Sequence, residues 1–193
     1  AAGSVVDKGR GATLVYFSPL KDAALPPCGA VWLPGGYPEL YAGPLSENRS
    51  MRACVRQAVE QGLPTVAECG GFLYLGQSLT DAEGQSWPMA GVLPGEAKDA
   101  GRLVRFGYAA LSADSDSMLF RAGESFPIHE FHHWDSTANG TAFIACKSTK
   151  MQWECGFATE HFYAGFPHFY WAGTPLPRRF VAAAECYTKG QQK

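Results

Sequence analysis

The sequence lacks several patterns that would assign a protein class at once. No apolar run approaches the roughly 18 residues that a membrane-spanning helix needs. The first residues, Ala-Ala-Gly-Ser-Val-Val-Asp-Lys, contain no hydrophobic stretch of signal-peptide length. Charges of one sign never occur in runs longer than two, and 16 basic residues stand against 18 acidic ones. We therefore expect no membrane span, no nucleic-acid partner and no membrane-surface partner, and we expect a cytoplasmic protein.

Nucleotide-binding motifs are also missing. The chain contains no Gly-x-x-x-x-Gly-Lys-Ser/Thr phosphate loop and no Gly-x-Gly-x-x-Gly motif after a predicted strand, so we expect it to bind no cofactor of its own. None of its cysteines form a Cys-x-x-Cys pair, which favours free thiols over a disulfide framework. These cysteines are Cys28, Cys54, Cys69, Cys146, Cys155 and Cys186.

The composition that remains predicts a single α/β domain. A chain of 193 residues corresponds to one domain at about 150 residues per domain, so we expect residues 1–193 to form one unit. Hydrophobic residues make up 46% of the chain, which is enough for a buried core. The 22 glycines and 13 prolines imply many tight turns, which suits an α/β enzyme better than a helical bundle.

Apolar patterns and turn residues predict the order of the elements. Strands are predicted at residues 12–17, 29–33, 64–67, 103–111, 128–134, 141–146, 153–158 and 161–166, and helices at residues 48–61, 72–77 and 177–187. The early strands and helices follow a βαβ order, which predicts parallel strands joined by a right-handed crossover. Cys54 lies on the apolar stripe of the helix at 48–61, so we expect it in the core.

Cys69 is the strongest candidate for a chemical role. It stands between a short apolar strand and a helix, with the small residues Ala67 and Gly71 two positions away on either side, which is the pattern of a nucleophile elbow. The amino end of the helix would favour the thiolate, and the Gly70 N–H would point toward a developing oxyanion. The alternative is a small buried cysteine in a glycine-rich turn.

A second glycine-rich turn, Pro34-Gly35-Gly36, follows the preceding strand. The carboxyl ends of neighbouring parallel strands meet at one edge of the sheet, so this turn can supply a second oxyanion donor beside Cys69. The alternative is an ordinary β-turn without a role.

A catalytic base can come from one of five histidines, which are His129, His132, His133, His161 and His168. His168 follows an apolar strand, whereas His161 precedes the same strand at its opposite end. Residues 129–133 match His-Glu-x-x-His, a zinc motif that requires a helix. The window is barely two turns long and no third ligand follows at a suitable spacing, so we expect no metal site.

Several of these blocks occur together in one known family. The sequences Leu-Pro-Gly-Gly-Tyr-Pro-Glu-Leu at 33–40, Ala-Glu-Cys-Gly-Gly-Phe-Leu-Tyr-Leu at 67–75, Phe-Gly-Tyr at 106–108 and His-Glu-Phe-His-His at 129–133 resemble the C-terminal glutamine amidotransferase domain of cobyrinic acid a,c-diamide synthases. The resemblance covers about residues 11–185. It implies a three-layer α/β/α fold of the class I amidotransferase (flavodoxin-like) type, with a mostly parallel central sheet.

The resemblance assigns roles to individual residues. Cys69 matches the nucleophile, His168 matches the catalytic histidine, and Gly36 and Gly70 match the oxyanion-hole positions. The neighbouring residues of the two motifs are then expected to lie near the substrate; these are Gly35, Tyr37, Glu68 and Gly71. The roles of His129, His132 and His133 stay open between structural support and contact with the substrate.

The resemblance also implies partners. Glutamine would be hydrolysed at Cys69, and the ammonia would pass to an N-terminal synthetase domain that binds ATP and Mg and amidates the a and c acetates of a corrinoid acceptor. That domain, and the first strand and helix of the amidotransferase domain, are missing from the sequence, so the resemblance implies an N-terminally truncated domain.

Two alternatives remain open at this stage. In the first, the domain serves another tetrapyrrole acceptor, as in cobyric acid synthases. In the second, it is a catalytically weak binding or scaffold remnant. Tyr170 and the missing first strand motivate the second alternative. The family carries a second histidine at the position of Tyr170, where related enzymes carry a carboxylate that orients the catalytic histidine.

Overall fold

A computed structural model describes residues 11–191. In chain order the elements are β1 (Val31–Leu33), α1 (Ala42–Glu47), α2 (Arg49–Glu60), β2 (Thr65–Glu68), α3 (Gly70–Leu75), β3 (Ser78–Thr80), β4 (Ser86–Pro88), β5 (Glu96–Asp99), β6 (Arg105–Ala113), β7 (Ser125–His132), β8 (Trp134–Ser136), β9 (Phe143–Cys146), β10 (Gln152–Cys155), β11 (Phe157–Ala158), β12 (Phe162–Gly165), β13 (His168–Phe169) and α4 (Leu176–Gly190). A 3-10 helix, Pro38–Tyr41, precedes α1. Strands and helices alternate only in the first part, which confirms the predicted α/β class.

A mostly parallel sheet joins the early and late parts of the chain. Its strand order is β1-β2-β12-β11, in which β1, β2 and β12 are parallel and β11 is antiparallel. Leu33 and Ala164 both pair with Ala67, so the three parallel strands end at the same edge. All residues of β2 and β12 are buried, as expected for parallel strands covered on both faces.

Two further sheets depart from the predicted parallel pattern. One has the order β10-β9-β6-β7-β13 and is antiparallel throughout, and the other has the mixed order β4-β3-β5-β8. The loops between β6, β7 and β9 are short enough for antiparallel neighbours, whereas parallel neighbours need a crossover of a dozen residues or more.

The parallel sheet separates two hydrophobic cores. Ala67 and Ala164 face one core, which also contains Val55 of α2. Val66 and Tyr163, their neighbours in the chain, face the other core. This alternation follows from the strand period of two and places buried apolar surface on both faces of the sheet.

Helices cover both faces. Phe72 of α3 belongs to the first core, and Leu176 of α4 belongs to the second together with Leu111 of β6 and Ile128 of β7. The arrangement is consistent with the flavodoxin-like class I amidotransferase fold, with the antiparallel sheet sharing one face with α4. No helix in the described residues combines the length and the hydropathy that a membrane crossing requires.

Residues 12–17, predicted as a strand, do not form one. They are irregular and mostly exposed, and within residues 11–191 no strand pairs with the outer edge of β1. A β-prone apolar segment becomes a strand only where another strand completes its hydrogen bonds, because an isolated extended segment leaves its N–H and C=O groups to water.

Three smaller expectations also change. The strand predicted at 128–134 is divided, because β7 ends at His132 and Trp134 begins β8 in another sheet. The strand predicted at 153–158 is interrupted at Gly156, whose φ is +74°. Cys54 is half-buried instead of lying in the core, and its Sγ accepts a hydrogen bond from the Leu25 N–H at 3.4 Å.

All six cysteines lie in the described residues and are free thiols, as predicted.

Candidate active site

The predicted elbow lies at the carboxyl edge of the parallel sheet. Cys69 directly follows β2, and its backbone N–H donates to the Gly165 carbonyl at the end of β12, at 2.7 Å. The loop Pro34-Gly35-Gly36 follows β1 at the same edge. The sheet therefore brings together the two glycine-rich turns that the sequence indicated, as the alignment of parallel strand ends requires.

Cys69 has the strained backbone of a nucleophile elbow. Its φ is +49° and its ψ is −103°, and within residues 11–191 only Lys150 is another non-glycine residue with positive φ. Such a conformation costs on the order of 1–3 kcal/mol and persists where the surrounding structure enforces it. A Cβ at Gly71 would overlap the Leu33 carbonyl group, so α3 can start this close to β1 only with glycine there.

The two expected oxyanion donors are neighbours. A Cβ on Gly70 would lie 2.7 Å from the Gly36 carbonyl oxygen and 2.8 Å from the Gly36 nitrogen, so the backbones of the two loops are in contact. Tyr37 follows on the first loop with an exposed side chain. Neither Gly36 nor Gly70 has a side chain that would separate the two loops, and a pair of neighbouring backbone N–H groups is what stabilisation of an oxyanion requires.

His168 lies against the same loop. It belongs to β13, where it pairs directly with His129 of β7. A Cβ on Gly35 would lie 2.5 Å from His168 Cε1 and 3.3 Å from Nε2, so the imidazole occupies the space that a side chain at Gly35 would take. The loop after β1 therefore contacts the Cys69 elbow through Gly36 and the histidine through Gly35.

Burial determines the protonation of both groups. It raises the pKa of the Cys69 thiol to about 12, against the lowering effect of the Gly70 N–H, and Glu39, Glu130 and Glu68 raise it further. The sequence-based expectation that the helix amino end favours the thiolate is therefore outweighed in the unliganded protein.

Burial also lowers the pKa of His168 from its usual 6.5, and His129 lowers it further while Glu130 acts in the opposite direction. His168 is consequently neutral at pH 7 and can accept a proton. A protonated thiol must transfer its proton to a base before it becomes a nucleophile, and a neutral imidazole can be that base.

Glu68, the residue before Cys69, has a buried carboxylate with 3% exposure. Its Oε2 accepts the Trp32 indole N–H at 3.2 Å, and its Oε1 accepts the Phe169 backbone N–H at 3.0 Å and the Trp171 indole N–H at 3.3 Å. Burial raises its pKa to about 7, and these three hydrogen bonds act against the rise. The Tyr170 side chain, by contrast, is 67% exposed.

Sequence reasoning missed Trp32 and Trp171 as partners of Glu68. A usable signal was present, because a single acidic residue at the end of an otherwise apolar buried strand needs donors nearby. The identity of those donors depends on β1 and on the segment after β13, which are distant in sequence from Glu68.

The His-Glu-Phe-His-His segment lies in strand β7 and at its end rather than on a helix. Its residues alternate between two faces. Glu130 and His132 are buried; His132 Nε2 lies 3.3 Å from Glu130 Oε2, its Nδ1 lies 2.7 Å from the Trp134 carbonyl, and its ring stacks on Phe166 at 3.6 Å. His132 therefore supports the segment that follows β12.

The other face of β7 carries His129, which packs edge-on against Tyr108 and Phe106 with ring centroids 5.1 and 6.1 Å away. His129 and His133 do not lie one helical turn apart, so the helical zinc motif is not formed, and residues 11–191 contain no group of three or more possible metal ligands. His161 lies at the opposite end of β12 from Cys69, as predicted, since its carbonyl accepts from the Thr65 N–H where β2 begins.

Replacing Gly35 by Ala tests the contact between the loop and the imidazole. The added carbon would meet His168 Cε1 at 2.5 Å, so we expect the ring to be displaced and the His168 Cε1 resonance to shift in carbon-13 NMR. Gly36→Ala is the matched control, because within the described residues no heavy atom lies within 4 Å of its added carbon. Equal shifts in the two variants would contradict the packing described.

Comparison with known proteins agrees with this geometry. The CobB/CobQ-like glutamine amidotransferase domain matches residues 8–175. The chain is 39% identical over 180 residues to the cobyrinate a,c-diamide synthase of Salmonella typhimurium, covering 90% of this chain and 39% of that protein. It is 40% identical over 162 residues to the cobyrinate a,c-diamide synthase of Caldanaerobacter subterraneus subsp. tengcongensis, covering 82% of this chain and 36% of that protein.

The enzyme of the same name from Picrophilus torridus is 34% identical over 178 residues, covering 92% of this chain and 38% of that protein. The chain thus spans less than two fifths of the length of these relatives. The match to the domain runs from before β1 to the last residue before α4 and includes both glycine-rich turns, Cys69 and His168. By this match, the chain belongs to the CobB/CobQ-like glutamine amidotransferase domain family.

Proposed function

We propose that this domain hydrolyses glutamine through a thioester on Cys69. One observation carries the proposal. The strained Cys69 elbow lies at one edge of the parallel sheet, together with the Gly36 and Gly70 backbones and the His168 imidazole. A thiol, a neutral imidazole and two adjacent N–H donors are the groups needed for attack on an amide carbonyl.

The proposed reaction has two halves. His168 accepts the Cys69 proton, and the thiolate attacks the carbon of the glutamine side-chain amide, forming an oxyanion that the Gly36 and Gly70 N–H groups bind. The imidazolium then donates its proton to the leaving nitrogen, and ammonia departs to leave the thioester. In the second half His168 takes a proton from water, hydroxide attacks the thioester carbon, and glutamate and the Cys69 thiol are released with the proton returned.

The high pKa of Cys69 supports a coupled transfer of this kind. A thiol with a pKa of about 12 contains very little thiolate at pH 7, so reactivity depends on a base that accepts its proton. His168 suits this role, because its lowered pKa keeps it neutral. The resting thiol thereby stays in its less easily oxidised form.

For the destination of the ammonia we propose cobalamin biosynthesis. The relatives are named cobyrinate a,c-diamide synthase, and more than three fifths of each lies outside the matched part. In the proposed scheme that remaining part binds ATP and Mg, activates the a and c acetates of the corrinoid as phosphates and amidates them with ammonia from this domain. Activation by ATP is needed because a carboxylate does not react with ammonia directly.

Active-site labelling tests the hydrolytic proposal. A chloroketone analogue of glutamine should alkylate Cys69, as located by peptide mass spectrometry, and glutamine should protect it. Cys69→Ser should lower glutamine hydrolysis by about 10³-fold or more, because the nucleophile is lost. Cys28→Ser and Cys186→Ser, which remove exposed thiols, serve as controls and should retain both activity and labelling. Labelling that glutamine does not slow would refute the assignment.

The pH dependence of hydrolysis tests the role of His168. Its pKa is lowered below 6.5, so the neutral base persists to a lower pH; kcat/KM should be level near pH 7 and fall as the pH drops through that pKa. His129→Gln removes a neighbour that lowers this pKa, so the fall should begin at a higher pH. An acid limb that stays in place in this variant would argue against His168 as the titrating base.

The acceptor is tested by reconstitution. This domain should be mixed with the part of the Salmonella typhimurium relative that lies outside the match, with cobyrinate, ATP and Mg²⁺. We expect glutamine-dependent formation of the diamide, detected by mass spectrometry. The Cys69→Ser variant should lose this activity with glutamine but keep it with ammonium salts. Amidation of cobyrate in preference to cobyrinate would favour the alternative acceptor.

A further inference from the structure

The Glu68 carboxylate connects the two catalytic segments. Through the backbone it is joined directly to Cys69, and through Oε1 it accepts the backbone N–H of Phe169, the residue after His168, at 3.0 Å. The same oxygen accepts the Trp171 indole N–H at 3.3 Å, so the carboxylate binds the His168 segment at two points.

Within the described residues, the backbone of β13 has few hydrogen-bond partners besides this carboxylate, whereas the Phe169 side chain packs on Phe120 and Tyr163 in the core. Strand β13 is two residues long and is the edge strand of its sheet, pairing only with β7 through His168 with His129 and Phe169 with Ile128. The pairing with β7 fixes one side of the segment. The Phe169 N–H donates to the Glu68 carboxylate and not to β7.

The site is specific for a carboxylate. Three N–H groups point at its two oxygens, and each is a donor that cannot accept, because indole and backbone N–H groups have no acceptor capacity. An amide in this place would turn its NH₂ group, which cannot accept, toward one of these donors. Trp32 and Trp171 also pack on each other with ring centroids 5.1 Å apart, which holds the two indole donors in place.

We propose that Glu68 is the positioning residue for the catalytic base. It holds the backbone beside His168 at a fixed place relative to Cys69, instead of binding the imidazole as the carboxylate of a catalytic triad does. Glu68 thus provides a carboxylate that orients His168. Position 170, where related enzymes carry such a carboxylate, is occupied by Tyr170, whose side chain is exposed. The proposal rests on the glutaminase function proposed for Cys69 and His168.

The first test is Glu68→Gln. The glutamine oxygen can keep the Phe169 and Trp171 bonds, but its NH₂ group then faces the Trp32 N–H, so the side chain must shift and the His168 segment with it. We expect kcat for glutamine hydrolysis to fall by about 10- to 100-fold, the range typical for loss of an orienting partner. KM should change by no more than about 2-fold, because Glu68 does not contact glutamine in this scheme.

The second test is rescue by Trp32→Phe in the Glu68→Gln background. Phenylalanine removes the donor that opposes the NH₂ group, so the double variant should regain about 5-fold or more of the lost kcat, while Trp32→Phe alone should change kcat only slightly. If Glu68 acts in folding alone, the double variant should have a lower kcat than Glu68→Gln, since losing a second buried side chain from the same cluster lowers stability further. If Glu68→Gln does not fold, kcat of the double variant is compared with that of Trp32→Phe.

A destabilised control separates position from stability. Glu124 bonds Arg179 of α4 in another part of the fold, with its Oε1 2.7 Å from Arg179 Nη2. Glu124→Gln should lower Tm without a change in kcat. An equal fall in kcat for Glu68→Gln and Glu124→Gln at the same loss of Tm, an unchanged kcat in Glu68→Gln, or no rescue by Trp32→Phe would each overturn the proposal.

A readout without substrate keeps this test independent of the glutaminase proposal. In carbon-13 NMR the His168 Cε1 resonance should shift in Glu68→Gln and return toward its wild-type position in the double variant, while His161, at the far end of β12, stays unchanged. If the wild-type domain does not hydrolyse glutamine, the proposed function fails. If the His168 resonance does not respond to Glu68, the positioning proposal fails.

Discussion

The parallel alignment of β1, β2 and β12 is the constraint on which the candidate site depends. Because the three strands run in one direction, the chain leaves all of them at the same edge, and the loop after β1 meets the Cys69 elbow there. The close approach is possible because Gly35, Gly36, Gly70 and Gly71 have no side chains to separate the segments. Hydrogen bonding within the sheet thus determines which strand ends are neighbours. The lack of side chains at the four glycines allows the two loops to come into contact.

The second property of the site is that burial opposes charge at Cys69, His168 and Glu68. It keeps the Cys69 thiol protonated, keeps His168 neutral and raises the pKa of Glu68 to about 7. Glu68 differs from Cys69 and His168 in that three N–H donors favour its charged form. The Cys69–His168 pair is therefore uncharged at rest, and charge arises on it as a proton moves between the two during the proposed reaction.

Much of the site was predictable because its signals are local. The spacing of small residues around Cys69 and the double glycine after β1 are short patterns whose geometry follows from strand–turn–helix stereochemistry. Helix α2 and strands β1, β2 and β12 were predicted for the same reason. Short strands β3, β4 and β5 were missed, because pieces of three or four residues with at most one buried residue each carry little apolar pattern.

The sequence by itself determined the α/β class, the elbow at Cys69 and the family to which the motifs point, since each depends on neighbours along the chain. Only the tertiary structure decided which residues surround Glu68, which face of β7 carries His129, and that residues 12–17 form no strand. Those outcomes depend on contacts between remote segments, such as Glu68 with Trp171, which are 103 positions apart. Hydrogen bonds and burial at such separations leave no periodic trace in the sequence, because the partners are chosen by the packing of the sheets.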